Sequence, residues 1–268
     1  MAELVWGGNG QRYFETGIDR GVLYPRVGPG VPWNGLTGIS EKPDGGTPRA
    51  FYADGFKYLN LASSEEYSAS LTAFSAPPEF ARCDGTQGIL NGLFITQQRR
   101  EQFDLSYRTR VGNDQDGSDH GYKIHLVYNA LASATTRDFR TVDSSSQAIS
   151  MTWDITTTPP EITGYRPSAH FIIDSRYTPK TLLSQFEGML YGTAASEPFM
   201  PTVAQVMEQF NSLITVELYR EQMGGTFAFE KVPAIRHSVR PTPAPGQSVL
   251  WLDTSAGSYA KLTLVTGD

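Results

Sequence analysis

One cysteine in 268 residues, Cys83, rules out an intramolecular disulfide and argues against a cysteine-based metal cluster. That usage fits folding in a reducing compartment. Within Cys83-Asp84-Gly85 it sits beside a turn signal and reads as a small, partly buried residue. Long apolar runs are also missing: none approaches the roughly 18 residues of a membrane span, and no membrane insertion is expected. The opening MAELVWGGNG has no basic stretch followed by an apolar one, so no export signal is expected. Basic charge is scarce and scattered, with 22 Lys and Arg against 28 Asp and Glu and a net charge of −6. A tight grip on nucleic acid uses clustered cations to displace phosphate counterions, and this chain has no such cluster.

Catalytic signatures are absent too. No serine lies in a G-x-S-x-G elbow, and no glycine-rich loop ends in Lys-Ser or Lys-Thr. The four histidines, His120, His125, His170 and His237, show no H-E-x-x-H spacing. His120 and His125 are five apart across a strand start and should point to opposite faces, so structural or surface roles are expected for them. Carboxylates are plentiful and two could meet in a cleft as acid and base, but no sequence spacing places such a pair: Glu65 and Glu66 are adjacent and would diverge on a strand, and Glu217 and Glu221 read as exposed. No catalytic, cofactor-binding or metal-binding residue is expected, and the chain does not read as an enzyme. The loop 112–121, GNDQDGSDHG, carries Asp114, Asp116 and Asp119, but its glycine follows the second Asp directly and the last position lacks the bidentate Glu of a calcium loop. Solvated turn chemistry or contact with a neighbouring subunit is the expectation there.

What is present is β structure. Hydrophobic residues make up 39% and charged residues 19%, the balance of a soluble globular chain, and 268 residues can form one β-rich domain with a sizeable core. Phe103, Leu105, Tyr107, Thr109 and Val111 alternate with Asp104, Ser106, Arg108 and Arg110, and the alternation resumes with Ile124, Leu126 and Tyr128. Tyr67, Ala69, Leu71 and Ala73 alternate likewise, as do Ile149, Met151, Trp153 and Ile155; Ala169, Phe171 and Ile173 form a shorter run. Such runs between turn signals predict a mostly antiparallel sheet with one face on a core. Two helices interrupt it. Thr178-Pro179 reads as an N-cap with proline at the first helical position, followed by a Leu182, Leu183, Phe186, Leu190 stripe and a stop at Gly192. Thr202 and Gln205 have capping-box spacing ahead of Val203, Val206, Met207 and Phe210, and 213–219 returns to strand character.

Residues 1–48 are rich in Gly and Pro, with little sustained periodicity, yet hold Trp6, Tyr13, Phe14, Tyr24 and Trp33. They predict an extended N-terminal arm ordered by packing on its own body or on a neighbour. The main domain is expected over 49–240. A spacer, PTPAPG at 241–246, leads to a C-terminal hairpin extension built on Val249–Leu252 and on Ala260, Leu262 and Leu264, within 241–268. The fold class is thus mainly β (α+β), an antiparallel β-sandwich or open barrel with one or two flanking helices.

Several long strings, RYFETGIDRGVLYP, VPWNGLTGISE, FKYLNLASSEEYSASLTAFSAPPEFARCDG, QQRREQFDLSYRTRVGND, HGYKIHLVYNA, MTWDITTTP and SAHFIIDS, stand in a consistent order. Over most of its length, up to about residue 235, the chain resembles the major tail proteins of long-tailed, non-contractile actinobacteriophages. The resemblance implies a non-enzymatic virion protein of the tail tube β-sandwich type. It implies stacked rings, usually hexameric, that form the hollow conduit for DNA, assembled in the host bacterial cytoplasm. Implied partners are other copies of itself, the tape measure and tail terminator proteins, and viral DNA passing through the bore. The alternative from another class is a β-sandwich module for cell-wall carbohydrate, for which Trp6 and Trp33 are the aromatic candidates.

Overall fold

The computed structural model describes Leu4, residues 6–139, Thr141, residues 148–212, and the short stretches 215–216, 232–233, 248–253 and 261–266. The chain divides into two units, Met1–Pro201 and Thr202–Asp268.

In the first unit the strands are β1 (Phe14–Pro25), β2 (Val31–Pro32), β3 (Leu36–Glu41), β4 (Asp44–Gly45), β5 (Pro48–Ala53), β6 (Phe56–Ala62), β7 (Glu65–Glu66) and β8 (Ser68–Ala73). They continue, after a 3-10 turn at Pro78–Ala81, with β9 (Gln87–Leu90), β10 (Leu93–Ile95), β11 (Phe103–Asn113), β12 (Gly117–Ala134), β13 (Met151–Thr157) and β14 (His170–Asp174), and helix α1 spans Lys180–Tyr191. The main sheet is antiparallel and runs β2-β1-β11-β12-β13-β8-β3, with β14 added against β12. Its outermost strands do not pair with each other, so it is an open sheet rather than a closed barrel. The mainly antiparallel architecture with flanking helices is the one the alternation predicts.

On the edge away from β11, β12 serves two partners. Lys123 to Val127 pair with β14, and Ala130 to Ala134 pair with β13. Between them Asn129 takes a positive φ of 52°, and its backbone N–H donates to the Asp104 carboxylate at 2.6 Å while its side chain donates to Thr158 O at 3.0 Å. An asparagine tolerates this left-handed kink because its short amide replaces the lost ladder bonds.

One face of the sheet encloses a core of Leu23, Leu71, Phe103, Leu105, Val127, Trp153 and Ile155, all at most 1% exposed. Trp33, Phe80 and Trp153 lie with ring centroids 4.6–5.9 Å apart, and the Trp33 indole donates to Ser75 O. Cys83 is fully buried beside them rather than partly so. On the opposite face Ile124, Leu126 and Ser106 are also fully buried. Tyr24 Oη, hydrogen-bonded to Ser106, donates to the carbonyl of Leu190 in the last turn of α1, which covers this face. Ser106, placed by the alternation on the strand's polar side, therefore lies under the helix.

The α1 stripe Leu182, Leu183, Phe186 and Leu190 is buried as its spacing requires, and Gly192 ends the helix with φ 78°. The start differs by one residue. Pro179, with extended backbone, occupies the cap position, because the Thr178 hydroxyl donates to Asp174 O instead of capping.

Residues 14–41 are strands of the main sheet. β1 pairs with β11 from Phe14↔Gly112 to Pro25↔Phe103, and β3 pairs with β8. The expected order by packing on the chain's own body is achieved here by ladder pairing. Two register shifts in β1 explain why its period-2 signal is weak, since each bulge moves the following side chains to the other face.

In the second unit α2 spans Val203–Ser212 and opens on the predicted capping box, with Gln205 N donating to Thr202 Oγ1 and Thr202 N to Gln205 Oε1. Val203 and Val206 are buried, Met207 is half-buried and Phe210 is exposed. β15 (Thr215–Val216) pairs with β16 (Val232–Pro233), and β17 (Ser248–Asp253) pairs with β18 (Lys261–Thr266) in the expected C-terminal hairpin. The spacer 241–246, His237 and most of 213–219 lie outside the described residues.

Candidate functional site

Two hairpins in the first unit carry apolar side chains that no described residue covers. The excursion between β3 and β8 is one long antiparallel arm: β3 with β8 at its base, β4 with β7 in the middle, β5 with β6 at its tip. The tip turns through Asp54 and Gly55, both with positive φ, the conformation of a two-residue hairpin loop that matches strand twist. Phe51, Tyr52, Phe56, Tyr58, Leu59 and Leu61 are exposed on it, Phe56 and Tyr58 to 77% and 74%. The β9/β10 hairpin, turning at Asn91-Gly92, exposes Ile89, Leu90, Leu93, Phe94 and Ile95. A two-stranded hairpin in water is marginal on its own, and contiguous apolar patches on such hairpins mark surfaces that become covered.

The β11/β12 connection is tighter than the loop expected at 112–121. The strands run on to Asn113 and resume at Gly117, which has φ 62°. Asn113 Oδ1 accepts from the backbone N–H groups of Gln115 and Asp116 at 3.0 and 2.6 Å and closes the turn. The flanking glycines are strand residues chosen for close approach. A Cβ on Gly112 would meet the Phe14 ring at 2.4 Å, and one on Gly121 would meet Arg176 Cγ at 2.7 Å. Each aspartate has its own partner: Asp114 accepts from Arg12 N, Asp116 pairs with His120 at 2.8 Å, and Asp119 lies 3.6 Å from Arg110. They do not converge as a cation cage.

Arg108 and Arg110, on the outward side of β11, are engaged within the subunit. Asp19 on β1 receives Arg108 through two bonds of 2.6 and 2.8 Å and Arg110 through one of 3.1 Å. These bonds hold the Asp19 carboxyl below its usual range, chiefly through Arg108. The arginines thus fasten β1 to β11 within the subunit.

At the β3 end of the sheet a polar cluster forms that no spacing announces. Glu41 ends β3, Tyr107 lies on β11, His125 on β12 and His170 at the start of β14. Tyr107 Oη donates to Glu41 Oε1 at 2.6 Å. His125 Nδ1 and His170 Nε2 are 3.0 Å apart, and each is 3.8 Å from the same Glu41 oxygen. His125 Nε2 contacts Thr109 Oγ1 at 3.0 Å, and the Tyr107 and Tyr67 rings lie against His125 and His170 with centroids 4.5 Å apart. Burial drives His125 down to about 4, helped by its neighbour, and lowers His170 in the same sense, so both imidazoles are neutral at pH 7. The Tyr67 and Tyr107 hydroxyls are pushed above their usual range by burial. Glu41, His125 and His170 are a set of potential metal ligands among the described residues. Sequence reasoning treated the histidines singly and missed Glu41, because the three come from strands distant in the chain.

Of the two aromatics proposed for sugar, Trp6 is 83% exposed but Trp33 is 3% exposed and locked in the core, so these two do not present a joint surface. Glu65 and Glu66 lie exposed in the short β7.

No family model matches the chain, and no curated protein matches it. Among solved structures it is similar to a chain of the anti-feeding prophage baseplate, at 13% identity and TM-score 0.31, covering 65% of this chain and 97% of the other. It is also similar to a chain of the sheath/tube terminator of an extracellular contractile injection system in its extended state, at 12% identity and TM-score 0.29, covering 65% and 99%. Likeness at these values carries no argument about function.

Proposed function

We propose that this chain is a structural component of a phage tail, and specifically the subunit whose stacked, hexameric rings form the tail tube of a long-tailed, non-contractile actinobacteriophage. The observation that carries the reading is the pair of apolar hairpins, β5/β6 and β9/β10. They extend from an open sheet and expose eleven large apolar side chains without cover. Open sheet edges and bare hairpins are satisfied together when identical subunits pair around a closed ring and stack on the next one. The sequence resemblance supplies the identity of that assembly. The role is mechanical rather than catalytic; its partners are other copies, the tape measure and terminator proteins, and DNA in transit. The site of action is the virion, after assembly in the host cytoplasm. A carbohydrate-binding module is disfavoured because Trp33 is a core residue.

Negative-stain microscopy with sedimentation velocity on the purified full chain tests the reading. Rings or tubes are expected. A protein that stays monomeric at every concentration, with or without the tail's tape measure, sinks it.

A further inference from the structure

We propose that Glu41, His125 and His170 form a binding site for one zinc-class divalent cation, with Glu41 Oε1, His125 Nδ1 and His170 Nε2 as protein ligands and water in the fourth position. The triangle of donor atoms has sides of 3.0, 3.8 and 3.8 Å. The point in their plane equidistant from all three lies about 2.1 Å from each, near a Zn–N or Zn–O bond length, and a closing of the half-exposed Glu41 side chain by a few tenths of an ångström lets the ion rise from that plane toward a tetrahedron. Two imidazoles and a carboxylate with an open fourth position are a donor set that suits zinc.

The surroundings support the ligands as a metal site requires. Thr109 Oγ1 stands 3.0 Å from His125 Nε2, and in the tautomer that carries its proton there the hydroxyl accepts that N–H and leaves Nδ1 as the metal donor. Tyr107 donates to Glu41 and fixes the carboxylate. Without a cation one of the facing nitrogens must carry the proton. Uptake replaces that N–H···N contact by moving the His170 proton to its other ring nitrogen, with no net proton loss, and by turning the ring about its broad terminal torsion. Among the described residues Glu41 has no Lys or Arg partner. Lys123, the nearest ammonium on the groove wall, is paired with Glu15. The site opens on a groove of about 620 Å³ lined by Ile18, Ile39, Thr109 and Glu41, and the Glu41 side chain is 41% exposed, so a hydrated ion can reach it.

The consequence is mechanical. β3 is the last strand of the sheet path, whereas β12 and β14 lie in its middle and on its branch. A cation held by all three strands staples the free edge to the body and stabilises the folded state by mass action.

The test uses the tag-free full chain, stripped with chelator and titrated with zinc sulfate by calorimetry. Cobalt(II) absorption reports the coordination geometry. We expect one zinc per chain, tetrahedral cobalt bands and a raised melting temperature. Glu41→Gln and His170→Gln, which remove ligands, should each weaken binding by more than the roughly 10- to 100-fold that loss of a supporting group alone costs at known sites. Their circular dichroism should be unchanged, and His120→Asn should bind like the parent. No saturable binding up to millimolar zinc overturns the proposal, as does binding that Glu41→Gln and His170→Gln leave intact.

Discussion

Replacing Phe56 and Tyr58 by aspartate should abolish tube formation while leaving the subunit folded. Both side chains are about three-quarters exposed at the tip of the arm formed by β5 and β6, so neither supports the core. Surface changes of this kind shift stability by about 0.5 kcal/mol or less. The cost in the assembly is of another size. An aromatic side chain buries about 150–250 Å², and at about 25 cal/mol per Å² the exposed three-quarters amounts to about 3–5 kcal/mol per residue once covered. Aspartate forfeits that and adds a desolvated carboxylate. Each 1.4 kcal/mol is about tenfold in association, so the double variant should raise the assembly concentration by more than about a thousandfold. Sedimentation velocity and negative stain read the assembly, and a thermal melt by circular dichroism reads the fold. Tubes of normal length from the double variant would refute the reasoning. A collapse of the melt would do so differently, by showing that the hairpin belongs to the core.

Removing residues 1–33 should unfold the first unit rather than only impair assembly, because β1 fills the sheet beside β11 and Leu23 and Trp33 lie in the core; a cooperative melt from the truncated chain would contradict this. Trp33→Ala should cost about 3–5 kcal/mol as a large-to-small core change, read as a denaturation midpoint shift; a loss under 1 kcal/mol would mean that the indole is not packed as described. Asp19→Asn should destabilise by about 1–3 kcal/mol near pH 7, since it leaves Arg108 short of its charged partner. Because folding lowers the Asp19 pKa, the stabilisation is present above the unfolded value near 4 and is lost as pH falls through the folded value. Melts of parent and variant should therefore converge in strong acid, and a gap that widens there would reverse the assignment. Calcium titrated into the chain should show no saturable sub-millimolar binding, because the aspartates around the β11/β12 turn are engaged separately; micromolar affinity would overturn that view.

The strands with clean alternation were legible in advance. β8, β11 and β13 put their large apolar side chains on one side of a pleat, which leaves a period of two in the residues themselves, although β11 also buries the small Ser106 on its other side. The α1 stripe and the α2 capping box were legible for the same reason, since 3.6-residue spacing and a cap at fixed offset are local facts. β1 was not, because its bulges break the period, and Gly112 and Gly121 read as loop although sheet packing excludes a Cβ at both positions. The same limit hid the functional features. Phe56 and Tyr58 have the composition of an ordinary half-buried strand, and only the fold shows that they stand about three-quarters exposed. Trp33 looked like a surface aromatic until the sheet closed over it. Glu41, His125 and His170 are unremarkable one at a time. They meet because β3 and β14 are brought to the same stretch of β12, and a contact between strands so distant in the chain leaves no trace in local spacing. The amino-acid sequence alone therefore determined the β class, the helices and the absence of catalytic motifs, which depend on near neighbours. Tertiary structure alone decided which side chains are left for a partner and which converge, because both depend on long-range register.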